Sequence, residues 1–324
     1  MTGKLAVVFG GSGFLGRNVV RELAKRGWRV RVGVRRPHLA QFLRPMGAVG
    51  QIQLKQVNVR YRSSIAEALD GADAVVNLVG ILHQEGAQKF DAVQLDGARA
   101  IAELAAEAGI ETLVHVSAIG ADATSDSAYA RTKGEGEEAA LAAIPAATIL
   151  RPSVIFGAED QFFNKFATMA TTTPFTPLPL IGGGKTRFQP VYVDDVAAAV
   201  CEALVRPDAQ GKVFELGGPR SYSFRELMEL MLREIGRERF LVPVPFPIAN
   251  LIGFAGQVAG ALPFVSPPLT QDQVKMLRVD NVVDDSGTVG TLGDLGIEPK
   301  TVESVLPSYM EPYRKYGQFA EMTA

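Results

Sequence analysis

The stretch VFGGSGFLGR, residues 8–17, sets Gly10, Gly13 and Gly16 three residues apart, directly after an apolar run and directly before a helical pattern. Glycine at the first two positions lets the backbone turn tightly and approach a pyrophosphate. The helix N-terminus that follows adds unpaired N–H groups and the positive end of its dipole. A glycine pattern gains meaning from its context, and here it lies between a predicted strand and a predicted helix. Gly10, Ser12, Gly13, Phe14, Leu15 and Gly16 are therefore the expected pyrophosphate loop of a dinucleotide site.

Outward from this turn, short β-rich runs alternate with helical patterns. LAVVFG is followed by a helix from Phe14 to Arg26, then by RVRVGV, IQLKQVNV, AVVNLVG, a long helix to about Ala108, and TLVHVS. These runs are almost wholly apolar, as expected when crossover helices cover both faces of a parallel sheet. The expectation is an α/β chain with a Rossmann-type, doubly wound parallel sheet over residues 1–155 and a return segment near 187–206. Past ATILRPSVIFG the texture turns rich in proline and glycine, so residues 156–324 are expected to form a smaller, discontinuous C-terminal α/β domain for substrate or partner contact. Ser64 with Glu67, and Ser223 with Glu226, match the capping-box spacing and predict helix starts.

The second strand ends VGVRRP, where an NAD-preferring site would carry an acid for the ribose hydroxyls. Arg35 and Arg36 stand there instead. A charge-assisted bond to a 2'-phosphate, worth roughly 1.5–3 kcal/mol, would favour NADP(H) by about tenfold to a hundredfold. Ligands in such sheets lie beyond the carboxyl ends of the strands. Asn58 and Val59 are therefore expected beside the adenine, and Leu78, Val79 and Gly80 beside the adenosine ribose and pyrophosphate.

The 324 residues carry a formal charge of -2 and are 47% hydrophobic, an ordinary composition for one large or two unequal domains. No dense basic run with interleaved aromatics suggests nucleic acid as a partner. The single cysteine, Cys201, lies in an apolar helical stretch and reads as a buried structural thiol. His38, His83 and His115 are scattered without ligand spacing, so no metal site is expected, and His115 reads as a core histidine. Asp194 and Asp195 precede a helix and read as capping and dipole partners. The N-terminus enters a strand within a few residues, which predicts neither a signal peptide nor an import presequence. Residues 246–264 form the longest apolar run, marginal for a bilayer span because of its prolines and polar residues. Ile248, Leu251, Ile252, Ala255, Val258, Ala259 and Leu262 recur there at helical spacing, which predicts one buried or interface-seeking helix.

SAYARTK, residues 127–133, puts Tyr129 and Lys133 one helical turn apart, with the lysine charge near the phenol. A neighbouring cation lowers a tyrosine pKa by about 1–3 units, toward a useful proton donor or acceptor. Ser117, at the end of the fifth strand, could bind a substrate carbonyl or hydroxyl.

In order, FGGSGFLG, Ser117, YARTK and RPSVIFG resemble the short-chain dehydrogenase/reductase superfamily, in its extended or atypical branch. The resemblance implies that Tyr129 is the acid/base, that Lys133 bonds the nicotinamide ribose and tunes the tyrosine, and that Ser117 positions substrate. It also implies that Pro152, Ser153 and Val154 face the nicotinamide carboxamide. The run SAIGAD departs from sugar-nucleotide epimerases, which carry a serine-rich run there.

YARTKGEGEEA, RPSVIFGAEDQFFNKFA, RFQPVYVDDVAAAV and QVKMLRVDNVV together resemble a narrower family, the NADPH-binding accessory subunits of respiratory complex I in their bacterial form. That resemblance implies other complex I subunits as partners, a peripheral position on the cytoplasmic face of the bacterial inner membrane with contact to its surface, and tightly held NADPH outside the electron-transfer path. The alternative is a free NADPH-dependent reductase or epimerase that uses Ser117, Tyr129 and Lys133 on a small carbonyl or hydroxyl substrate.

Overall fold

The computed structural model describes residues 3–173, 176–259, 269–315 and 317, with backbone only for 257–259. The chain forms two compact units. The first contains residues 1–152, 193–216 and 284–298; the second contains 153–192, 217–283 and 299–324. Against one expected return segment, the first unit thus receives two, of which 284–298 carries no strand-like apolar run. It enters by single bridges, such as Gly290 N donating to Val213 O at 2.9 Å.

The first unit is built on a seven-stranded parallel sheet. Its strands β1 (Leu5–Phe9), β2 (Arg29–Val34), β3 (Ile52–Gln56), β4 (Ala74–Asn77), β5 (Leu113–Val116) and β6 (Thr148–Pro152), with a seventh at Val213–Leu216, lie in the order β3-β2-β1-β4-β5-β6-seventh. The chain starts in the middle and winds to both edges, so the order reverses between β1 and β4. There the two loops diverge to opposite faces and leave a crevice. All five residues of β1 are buried, as are the four of β4 and the four of β5, because helices cover both faces. Each valine so buried contributes about 1.5–3 kcal/mol relative to an exposed one.

Helices α1 (Phe14–Lys25), α2 (Arg62–Leu69), α3 (Asp96–Glu107) and α4 (Ala128–Ala143) follow β1, β3, β4 and β5, and a π-helical turn at Asp91–Leu95 runs into α3. The helix Val193–Val205 packs against α1. It carries Asp194 and Asp195 in its first turn, where a negative charge offsets the helix dipole. Arg21 of α1 donates to Asp194 at 2.6 Å. Cys201 is buried in this helix, and burial pushes its thiol up to about 12, which leaves it inert.

The expected Ser64–Glu67 capping box does not form. α2 begins at Arg62 with Tyr61 as its N-cap, so Ser64 already lies inside the helix. Its hydroxyl turns back to Asn58 O at 2.9 Å, and Glu67 pairs with Lys55 at 3.1 Å. The Ser223–Glu226 box is present at the start of the Phe224–Glu234 helix, with both reciprocal bonds made. A third box, Thr270 with Gln273, starts Gln271–Met276 and is legible in the sequence by the same spacing.

Among its described residues, the second unit has three two-stranded pairings around a core of Phe156, Phe163, Leu180, Phe224, Leu227, Met228 and Met231. Phe162, Phe163, Phe166, Phe188 and Phe224 meet edge to face or tilted at 5.1–6.2 Å between ring centres. Buried Asp160 accepts from the backbone N–H groups of Gly157, Phe162 and Asn164, and from Tyr309 Oη at 2.8 Å, which ties residue 309 to this turn. The helix Phe246–Ala259 buries only Ala249 and Gly253 among its described side chains. Ile248, Leu251, Ile252 and Phe254 are 46–69% exposed. The buried alternative for this helix is therefore corrected: small residues face the unit, and the large apolar ones face outward. The expectations for Val258, Ala259 and Leu262 lie outside the described side chains. No helix among the described residues is long and apolar enough to cross a membrane.

Candidate nucleotide site

The loop between β1 and α1 is shaped by backbone crowding. Gly10 has φ +81°, and a Cβ there would lie 3.1 Å from Leu78 C. Gly16 has no room at all, since its Cβ would lie 2.3 Å from Gly10 O and 2.5 Å from the Gly11 Cα. The third glycine therefore seats α1 on the turn. Gly13 is the N-cap, and no side chain caps this helix end. An anion is what such an end binds. Ser12, Phe14 and Leu15 are half-buried around it.

Arg35 and Arg36 leave β2 directly and are both exposed. No carboxylate among the described residues pairs with either guanidinium. Asn58 and Val59 follow β3, half-buried, with Asn58 Oδ1 accepting from Arg60 N at 3.2 Å and Arg60 Nε at 3.3 Å. Leu78, Val79 and Gly80 follow β4. Leu78 N donates to Phe9 O at 3.0 Å, and Val79 N donates to Asn77 Oδ1 at 3.1 Å.

Ser117 follows β5 and is 4% exposed, and its hydroxyl has no hydrogen-bond partner among the described residues. A buried, unpartnered hydroxyl costs about 1–3 kcal/mol unless a ligand satisfies it. α4 starts at an N-cap that sequence reading missed: Ser127 Oγ accepts from Ala130 N at 3.3 Å. Serine immediately ahead of a helical pattern is the signal that could have shown it. Tyr129 meets buried Phe90 edge to face at 5.8 Å. Lys133, 5% exposed, donates through Nζ to Val116 O at 3.1 Å. A Cβ built on Gly80 would lie 3.3 Å from that Nζ, so the lysine head reaches the β4 loop. Burial pulls its pKa down to about 8, although the Glu137 carboxylate one turn later works the other way.

Pro152 ends β6 and is buried in the first unit, while Ser153 and Val154 belong to the second. Ser153 Oγ donates to Asn281 Oδ1 at 2.7 Å. One further pair escaped sequence reading. Asn77 and His115, on adjacent strands, are buried and bonded to one another at 3.0 Å, behind the β4 loop and beside Lys133. Among the described residues, no group of three or more His, Cys, Asp or Glu side chains could hold a metal ion.

These residues fit a dinucleotide. The glycine turn brings bare backbone to the surface at exposed Gly13, an uncapped helix end stands ready for a pyrophosphate, and Ser117 presents an orphaned hydroxyl. The structure brings Ser117, Lys133 and the Leu78–Gly80 loop to one end of the sheet, the carboxyl end that also carries Gly10–Gly16, Arg35 and Asn58.

The profile of the NAD dependent epimerase/dehydratase family matches residues 6–217. A relative from Arabidopsis thaliana, NADH dehydrogenase (ubiquinone) 1 alpha subcomplex subunit 9, mitochondrial, is 36% identical over 324 residues, covering 98% of this chain and 80% of its own. A ceramide reductase of Caulobacter vibrioides is 32% identical over 245 residues, covering 75% of this chain and 74% of its own. Among solved structures, the NADPH-dependent quinone oxidoreductase of Escherichia coli complexed with NADPH superposes with a TM-score of 0.70 at 21% identity, covering 94% of this chain and 99% of that one. That likeness is one of fold. The chain belongs to the NAD dependent epimerase/dehydratase family, and within it resembles the subunit 9 proteins along nearly its whole length.

Proposed function

We propose that the chain is an accessory subunit of the respiratory NADH:ubiquinone oxidoreductase that holds NADPH tightly and outside the electron-transfer path. The observation that carries this reading is the likeness to subunit 9, which runs over 98% of the chain and so includes the second unit, where a nucleotide alone asks for no similarity. Gly10 to Gly16 would hold the pyrophosphate, Arg35 and Arg36 the 2'-phosphate, Asn58 and Val59 the adenine, and Leu78 to Gly80 the adenosine ribose. Lys133 would bond the nicotinamide ribose, with Pro152, Ser153 and Val154 toward the carboxamide. A ligand bound only by the folded state, at a hundredfold its dissociation constant, adds about 2.7 kcal/mol. Structural retention of NADPH needs no turnover. The exposed Ile248, Leu251, Ile252 and Phe254 support a peripheral seat against the membrane surface, on the cytoplasmic face of a bacterial inner membrane.

A second reading is an NADPH-dependent reductase, favoured by the orphaned Ser117 hydroxyl, next in the chain to Val116, whose carbonyl Lys133 reaches. When bound, NADPH would supply a hydride. Ser117 would donate to the substrate oxygen, and Tyr129 Oη would give up the proton that the oxygen takes. Purification of the tagged chain from native membranes under mild detergent separates the two readings. Co-migration with the NADH-oxidising enzyme, with stoichiometric NADPH, is expected. A chain that runs alone and never accompanies that enzyme overturns the subunit reading.

A further inference from the structure

From residue 23 through residue 66 the chain has ten lysines and arginines and no aspartate or glutamate. Several of these cations are already engaged: Arg26 by Glu22 and Glu202, Arg31 by the carbonyls of Ala68 and Asp70, Lys55 by Glu67, and Arg62 by Glu103 and Glu107. Arg35 and Arg36 are left at the carboxyl end of β2, with no acid within the segment to neutralise them. The turn Pro37–Met46 follows Arg36 at once and packs back on α1. It brings Phe42 beneath Arg17, whose guanidinium carbon lies 4.8 Å from the ring centre.

Arg17 stands in the first turn of α1, its N–H donating to Gly13 O at 3.0 Å, and no acidic residue shares that turn. A cation so near a helix N-terminus opposes the dipole. The ring contact holds the Arg17 side chain against the turn Pro37–Met46, which directly follows Arg35 and Arg36. Guanidinium groups suit phosphate because their donors form a planar fork.

We propose that Arg17, held over Phe42, is a third cation of the pocket for the ribose 2'-phosphate and sets the preference for NADPH over NADH together with Arg35 and Arg36. The inference rests on the NADPH reading above and assigns that preference to a residue outside the strand end. Phe42 is a positioning residue that acts through Arg17.

The test is the ratio of dissociation constants for NADPH and NADH, measured by titration calorimetry on the full chain after removal of bound nucleotide. The wild type is expected to favour NADPH. Arg17→Gln should weaken NADPH by about tenfold, the low end for a charge-assisted bond, while NADH binding stays within about twofold. Phe42→Ala should narrow the ratio by about threefold, in the range of an exposed cation–π contact. Equal weakening of both nucleotides by Arg17→Gln, or no weakening of either, overturns the assignment. Wild-type protein without a preference for NADPH overturns the NADPH reading itself, and this inference with it. Should Arg17→Gln fail to fold, Phe42→Ala decides by the same ratio, and a ratio equal to that of the wild type overturns the assignment.

Discussion

Asn77 Nδ2 donates to His115 Nδ1 at 3.0 Å in the interior of the sheet, and the same amide accepts the Val79 N–H at 3.1 Å through Oδ1. The second bond fixes the amide orientation, and the orientation fixes the ring. With Nδ1 as acceptor, the neutral histidine carries its proton on Nε2. Burial holds His115 down to about 3, and the Lys133 charge pushes the same way. A core histidine thus braces the β4 loop.

Acid should unfold the protein through this ring. Its folded pKa lies below the unfolded value of about 6.5, so the unfolded chain binds the proton first. The stability it contributes is complete above pH 6.5 and is lost as pH falls toward 3, at up to about 1.4 kcal/mol per pH unit. Urea midpoints between pH 4 and pH 7 should fall steeply in the wild type and more gently in His115→Asn, which keeps an acceptor for Asn77. Equal slopes in the two proteins would refute this role.

Under the proposed contact, Lys133 would give the nucleotide site its own pH dependence. Its folded pKa of about 8 means that the positive charge is lost as pH rises through that value, and with it the charge assistance to a bond with the ribose. NADPH affinity should therefore decline above about pH 8 in the wild type. It should be weaker but flat from pH 7 to 9 in Lys133→Met. Because the Glu137 charge raises the lysine, Glu137→Gln should move the midpoint lower. A wild-type affinity that does not change across pH 7–9 would remove Lys133 from the binding contacts.

That same Glu137 serves a second partner. It is 4% exposed and takes Arg151 in a two-pronged contact, Nε to Oε1 at 3.0 Å and Nη2 to Oε2 at 2.6 Å. Removing one member of a buried pair costs about 3–5 kcal/mol, and the partial exposure of Arg151 together with Glu215 at 3.7 Å should reduce this to about 2–3 kcal/mol. Chemical denaturation of Glu137→Gln reads that loss directly. A change under about 1 kcal/mol would mean that water replaces the carboxylate.

Gly16→Ala should be among the least tolerated changes in the chain. Its methyl group would meet backbone atoms, Gly10 O and the Gly11 Cα, which cannot rotate away. Overpacking of this kind costs about 1–3 kcal/mol. Here it also distorts the turn proposed to hold the pyrophosphate, so NADPH fluorescence enhancement should vanish even where the fold survives. Retained binding would place the nucleotide elsewhere.

The glycine spacing, the alternation of strands and helices and the cations of β2 were readable because each is a local pattern with one physical cause. The Asn77–His115 pair was not, since its members stand 38 residues apart and meet only when β4 and β5 pair. Ser64 misled for a related reason. Its capping spacing was right, but Arg62 and Ser63 had already begun the helix, and the hydroxyl found Asn58 instead. For residues 246–259 the helix itself was legible. Which face it buries was not, because Ala249 and Gly253 carry little hydrophobic signal beside Leu251 and Phe254.

That outward face yields the last prediction. Ile248, Leu251, Ile252 and Phe254 expose apolar surface that contributes nothing to the unit's own core, so polar replacements there should leave folding intact. Leu251→Gln with Phe254→Gln should keep the wild-type Tm within about 2 °C, since surface changes away from packing cost under about 0.5 kcal/mol. If the helix lies against the membrane, the double variant should co-sediment with anionic vesicles several times more weakly than the wild type while binding NADPH equally well. A lowered Tm would show that the face is packed within the protein. Unchanged sedimentation at unchanged Tm would take the membrane away as its occupant.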